Sequence, residues 1–159
     1  MADVKMTVGK ETEKIPGYLL WQVSKLWQRK LNEALKNLDL SSTQAVILIN
    51  VPRLIKEHKA VTQMMLSHVT KVDRTTVSQS IQSLEKKKLI KRVVPQDNRR
   101  AYHVELTDTG TTTATQALNR IFTAHQTFFQ QSQSDTDAFL TYMLKLIKTN
   151  DRDTNEEDE

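Results

Sequence analysis

Along most of the chain apolar residues recur in steps of three and four, and these runs mark out helices. From Tyr18 they fall at Leu19, Val23, Leu26, Trp27, Leu31, Ala34, Leu35 and Leu38, the spacing of a single helix face. The pattern predicts a first helix of about 20 residues, and so long an apolar stripe in a small protein calls for a partner helix. Ser41 followed by Gln44 fits a capping box, so a second helix should start near Ser42. It carries Ala45, Val46, Ile49, Leu54 and Ile55, with Pro52 inside it. An internal proline removes a hydrogen bond and crowds the carbonyl four residues back, which predicts a kink or two short helices. Thr62 can cap a short third helix from Gln63 to about His68, and Asp73 a fourth. In the fourth, Val77, Ile81 and Leu84 form one narrow apolar face, while Arg74, Thr75, Ser78, Gln79 and Gln82 line the other side. Lys86, Lys87 and Lys88 suit the negative end of its dipole.

The period then changes from about four to two. Leu89 to Val94 reads as a short strand, and Ala101 to Thr107 alternates, with Tyr102, Val104 and Leu106 on one side and His103 and Glu105 on the other. Between them lies PQDNRR, so the pair makes a hairpin with a basic tip. Thr107 is a candidate N-cap for a fifth helix and Asp108 complements its dipole. The stripe of that helix runs through Ala114, Leu118, Ile121, Phe122, His125, Phe128 and Phe129. SQSD interrupts it, Ser134 with Asp137 offers another cap, and a last helix carries Phe139, Leu140, Met143, Leu144 and Ile147. The expected fold class is mainly α with a two-stranded β wing: a winged helix-turn-helix unit joined to a helical region.

Charge sharpens this picture. The chain of 159 residues carries a net +4, but unevenly. Its last ten residues hold six acids and one arginine, while Lys71 to Arg100 holds nine Lys/Arg against three acids. A basic cluster of this kind suggests a polyanionic partner, although a charge run alone is more often just a solvated surface. The acidic tail, 150–159, is expected to be disordered.

Other chemistry finds little support. With no cysteine, disulfides, thiolate metal sites and thiol nucleophiles are excluded. No phosphate loop, G-x-S-x-G, H-E-x-x-H or Gly-rich dinucleotide turn is present, so an enzyme is not expected and no cofactor is implied. His125 lies on an apolar stripe, where an interface histidine is commoner than a metal ligand, and His58, His68 and His103 form no ligand spacing with it. Trp21 and Trp27 are expected in interhelix or intersubunit packing, with stacking on a ligand as the alternative, and the methionines, Met64 and Met65 among them, in packing generally. The longest apolar run, Ala45 to Ile49, is far short of a membrane span, and the N-terminus lacks an apolar signal region. A cytoplasmic protein is expected.

In a helix-turn-helix followed by a wing, the capped second helix enters the DNA major groove with its N-terminal part leading. Gln can bond adenine through two hydrogen bonds, and Ser or Thr can reach bases or phosphates. VTQ (Val61 to Gln63), KVDRTTVSQSIQSLEKKKLIKR (Lys71 to Arg92) and DNRRAYHVELTDTG (Asp97 to Gly110) resemble the MarR family of transcriptional regulators. The resemblance covers about residues 15 to 149, and its specific part is D-x-R followed by L-T-x-x-G. It implies a homodimer whose helices over 15–38 and 111–149 interlock, with a winged unit over 41–107, all within one domain spanning 1–159. It further implies a repressor that binds a near-palindromic double-stranded operator and is released by a small-molecule effector. The candidate DNA-contacting residues are Thr62, Lys71, Arg74, Thr75, Thr76, Ser78, Gln79 and Gln82, with Asp97, Arg99 and Arg100 at the tip.

The family's wing arginine enters the minor groove. Counted forward from Asp97 it is Arg99; counted back from Leu106 it is Arg100. Two positions depart from the family pattern: glycines are usual where Lys71 and Lys88 stand, the latter ending the recognition helix left-handed. Lysine there implies either a cost of about 1 kcal/mol or a different helix ending. The competing readings are a winged-helix adaptor that binds protein rather than DNA, and a small-molecule-binding protein that regulates nothing.

Overall fold

The computed structural model describes residues 14–58, 60–95, 102–130 and 133–151. In chain order the elements are α1 (Pro16–Leu35), a 3-10 turn (Lys36–Leu38), α2 (Ser42–Glu57), α3 (Gln63–Thr70), α4 (Arg74–Lys86), β1 (Ile90–Val93), β2 (His103–Leu106), α5 (Asp108–Phe128) and α6 (Gln133–Asn150). This is the mainly helical chain with a two-stranded wing that the periodicity predicts. The described residues divide into two compact units at Ala124/His125, within α5. Among them no helix is long and apolar enough to cross a membrane. The expected tail lies, beyond Asp151, outside the described residues.

In the first unit, each local start signal closes the bond it promises. Ser41 and Gln44 form the reciprocal capping box of α2, Thr62 accepts from Met65 N at 3.2 Å, and Asp73 accepts from Thr76 N at 2.8 Å. The core they frame comprises Leu35, Ile47, Leu48, Val51, Leu66, Val77, Ile81, Leu84 and Val104, all essentially inaccessible to solvent. Pro52 does not split α2, which runs unbroken to Glu57. Val51 and Leu54, on either side of it, are both buried and hold the segment against the core. β1 and β2 pair antiparallel with Ile90 opposite Leu106 and Val93 opposite His103. On its other edge β2 donates from Val104 N to Val61 O at 2.8 Å, which ties the wing to the entry of α3.

The end of α4 keeps the left-handed conformation despite its lysine: Lys88 has φ 58°. Its N–H donates to Glu85 O at 2.9 Å and that of Leu89 to Leu84 O at 3.0 Å. Those are the two bonds of a Schellman ending, and the buried Leu84 and Leu89 supply its usual apolar contact. Three local interactions thus outweigh the steric cost of a Cβ in this region. Lys71, which closes α3, is left-handed too, with φ 56°.

The L-T-x-x-G segment explains how α5 is launched. Thr107 N donates to Leu89 O at 3.1 Å, its hydroxyl donates to Lys88 O at 2.8 Å, and the same hydroxyl accepts from Gly110 N at 2.9 Å. A Cβ on Gly110 would lie 1.8 Å from Leu89 O, a backbone atom that cannot swing away. Past this contact α5 buries Ala114 and Ala117, small residues that continue the close approach. The larger Leu118 and Phe122 of the same apolar stripe are exposed, Phe122 by 60%. On α1 only Leu31 and Leu35 are buried. Trp27 packs against the core, whereas Trp21 is 58% exposed and stacks on Tyr18. Met65 packs as expected, but Met64 is exposed.

In the second unit Phe129 is surrounded by aromatic rings, with His125 at 5.0 Å, Phe128 at 4.9 Å and Phe139 at 6.0 Å between centroids. Helix α6 starts at Gln133, so Ser134 lies in its first turn instead of capping it. Phe139, Leu140, Leu144 and Ile147 are all exposed, Leu144 by 65%.

Gly110→Ala should lower stability by about 3 kcal/mol, because backbone must move to admit the methyl group. Lys88→Gly should raise it by about 1 kcal/mol by relieving the left-handed strain. Urea midpoints of the two variants should therefore move in opposite directions.

Candidate nucleic-acid interface

The face expected to read DNA is built by α4. Val77, Ile81 and Leu84 are fully buried, which fixes the helix's rotation about its own axis. Arg74, Thr75, Gln79 and Gln82 are consequently exposed, and Ser78 is half-buried beside them. The side chains of Thr62 and Thr76 are already engaged in caps, Thr62 on α3 and Thr76 through a 2.7 Å hydrogen bond from its hydroxyl to the Asp73 carboxylate. Lys71 is exposed in the turn before α4. Asp97, Arg99 and Arg100 lie outside the described residues.

Asp73 works harder than a neutral cap would. The Thr76 N–H, then its hydroxyl, hold the carboxyl below its ordinary range despite a small opposing desolvation. Its charge also sits at the positive end of the α4 dipole. The turn leading into α4 is pinned separately, by Ser67 Oγ donating to Val72 O at 2.6 Å.

Sequence reasoning missed the group that joins helix to wing. Gln63, the first residue of α3, donates from Nε2 to Arg74 O at 2.9 Å and accepts from the Tyr102 hydroxyl at 2.8 Å. One amide thus links α3, the start of the recognition helix and the base of the wing. Arg92 lies 5.3 Å from the centroid of the Tyr102 ring and pairs with Glu85 near the end of α4. Its guanidinium holds the Glu85 carboxyl below the ordinary value. Residues 63 and 102 are too far apart in sequence for any local signal to connect them.

The basic cluster is also less free than its count suggests. Lys91 pairs with Glu105 across the wing at 2.9 Å, which raises the lysine's pKa. Arg92 is held by Glu85, and Lys87 by Asp39 at 3.1 Å. Lys86 and Lys88 remain exposed. Among the described residues no group of three or more His, Asp or Glu could hold a metal ion.

The Asp73 cap predicts a pH dependence. Its folded pKa is depressed, so its contribution is complete above the unfolded value of about 4 and is lost as pH falls through the folded value. Asp73→Ala should be less stable than the parent at pH 7, and urea titrations from pH 7 to pH 2 should show that gap closing below about pH 4.

Comparison with known proteins agrees with this geometry. The MarR family profile matches residues 38–101. The HTH-type transcriptional regulator YdcH of Bacillus subtilis is 33% identical over 133 residues, covering 84% of this chain and 90% of its own. Among solved structures, a mutant of MarR from E. coli complexed with operator DNA superposes with a TM-score of 0.72 at 27% identity, covering 86% of this chain and 96% of that one. CouR from Rhodococcus jostii, bound to p-coumaroyl-CoA, shares the fold with a TM-score of 0.71 at 20% identity, covering 86% of this chain and 93% of its own. With the capped helix, its paired wing and the L-T-x-x-G launch of α5 in place, the chain belongs to the MarR family of transcriptional regulators, which are not enzymes.

Proposed function

We propose that this protein is a sequence-specific regulator that binds a near-palindromic double-stranded operator as a homodimer, and represses until a small-molecule effector releases it. The observation that carries the reading is α4: a helix locked in rotation by three buried residues, capped at its leading end, and presenting Arg74, Thr75, Gln79 and Gln82 to solvent. Those residue types can bond base edges in a major groove, while lysines and arginines around them meet phosphates. The likeness to an operator-bound MarR supports the same use of the face.

The dimer is supported by what the chain leaves uncovered. Leu19, Leu20, Trp21, Val23 and Leu26 on α1 are exposed, as are Leu118 and Phe122 on α5 and the apolar row of α6. Exposed apolar residues in such number are a liability for a monomer and normal for a subunit. Within the proposed dimer 15–38 and 111–149 are the interlocking segments, and the recognition helices sit about one DNA turn, roughly 34 Å, apart. Asp97, Arg99 and Arg100 are assigned to the wing tip, with one of the two arginines in the minor groove.

Selection of bound sequences from random duplex DNA should return two related half-sites in inverted orientation, and sedimentation at micromolar concentration should give a dimer. Affinity for the selected duplex should fall steeply with salt. Replacing Arg99 and Arg100 together by Ala should weaken binding and reduce that slope. A chain that binds no duplex at low salt would instead be a protein-binding adaptor. An effector, found by thermal shift, must also lower the affinity for that duplex, because a ligand acts on DNA binding only through differential affinity for two states.

A further inference from the structure

In sequence the lysine run that ends the recognition helix is three alike cations at the negative end of its dipole, part of the basic cluster. In the fold the three are not equivalent. Successive residues of a helix point about 100° apart, so the run cannot face one way. Lys86 continues the exposed row of Gln79 and Gln82, at steps of three and four. Lys87 instead continues the buried row of Val77, Ile81 and Leu84, three residues beyond the last of them. Its side chain is 28% exposed, whereas that of its partner Asp39 is 91% exposed.

What Lys87 meets there is polar and specific. Its Nζ lies 3.1 Å from an Asp39 carboxylate oxygen, donates to the Asp39 carbonyl and lies 3.4 Å from Gln44 Oε1. Gln44 in turn donates from Nε2 to Ser83 Oγ at 2.9 Å, one turn earlier on α4. Asp39 is itself left-handed, φ 52°, at the corner between the 3-10 turn and α2. The far side of this corner is tied to α1, whose Asn32 Oδ1 accepts from Ser42 N at 3.0 Å. A single ammonium therefore fastens the trailing end of α4 to the corner where α1 gives way to α2.

We propose that Lys87 is a positioning residue, held by Asp39 and Gln44 so that it fixes the tilt of the recognition helix relative to α1, and that it does not contact DNA phosphate. The proposal rests on the DNA-binding reading of α4. It makes Asp39 act opposite to its charge: an acid near a DNA-binding face ordinarily repels DNA, so neutralising it should strengthen binding, whereas loss of the clasp should weaken it.

Three variants test this: Lys87→Met, which keeps the aliphatic stem; Asp39→Asn, which tolerates the left-handed backbone; and the double variant. Urea titrations provide a cycle independent of DNA, and the two changes should be non-additive. With a duplex recovered by random-sequence selection, each single variant should lose about fivefold in affinity, and the double variant no more than either. Affinity for an unrelated duplex, and the salt slope on the selected one, should be unchanged. A slope reduced by about one in Lys87→Met would make it a phosphate contact and overturn the proposal. So would tighter binding by Asp39→Asn, additive stabilities in the cycle, or unaltered affinity in every variant. If Lys87→Met does not fold, Asp39→Asn still decides by the sign of its effect. A parent chain that binds no duplex at all removes the DNA reading and the positioning role together, while the stability cycle still reports whether the clasp forms.

Discussion

One carbonyl group, that of Leu89, sets the relation between the recognition helix, the wing and the start of α5. It accepts the Thr107 N–H and lies near enough to the Thr107 hydroxyl, at 3.2 Å, to share its proton with Lys88 O. The first turn of α5 presses on it so closely that only a residue without a side chain fits at Gly110. Leu89 is also the residue whose N–H closes the Schellman ending of α4. The exit of one helix, the first strand of the wing and the start of the next helix thus meet within two peptide units. Moving any one of them strains the others, and this is how a short hairpin can be held in a fixed relation to the helix beside it.

Local signals carried most of the fold into the sequence. Caps at Ser41, Thr62, Asp73 and Thr107 are each read from a hydroxyl or carboxyl residue placed just before a helical run, and each accepts from the N–H three positions on. The rotation of α4 was legible because three residues at helical spacing have one face in common. What could not be read is what depends on distance. The hydrophobic stripe of α5 does not tell which of its residues face this chain's own core: Ala114 and Ala117 are buried and Ile121 packs against the core, while Leu118 and Phe122 are exposed. Of the kink or split expected at Pro52 the split does not occur, because periodicity knows the missing hydrogen bond and not the packing that holds both sides of it. The Gln63 bridge joins residues 39 positions apart, and nothing in either neighbourhood announces it.

The same distinction governs the charges. Counting gives a strongly basic segment from Lys71 to Arg100, and the count is correct, yet the cations differ in kind. Lys91 and Arg92 lie beside carboxylates of the same winged unit. For exposed pairs of this sort the contribution to stability is small, about 0 to 1 kcal/mol, so their effect is chiefly one of orientation. Arg92 spreads over Tyr102, whose hydroxyl reaches Gln63, and this chain of contacts relates the wing strand to the first residue of α4. Part of the positive charge, on Lys91 and Arg92, therefore serves contacts within the winged unit itself.

Against that background the lysines at left-handed positions acquire a reason. Lys71, in the turn before the recognition helix, and Lys88, just past its C-cap, have φ 56° and 58°. Each carries a steric cost of about 1–2 kcal/mol that glycine would avoid. Two such positions are a considerable fraction of the roughly 5–15 kcal/mol by which a domain is stable. Asp39, the third left-handed residue, is a milder case, since a short polar side chain is tolerated there. The lysines are not explained by local conformation, because the Schellman bonds and the Ser67 contact would hold a glycine equally well. What glycine could not supply is a cation on a backbone that is already rigid, at both ends of the helix proposed to lie in the groove. Lysines at these two positions therefore add positive charge on both sides of α4 while keeping the helix endings that glycine would also adopt.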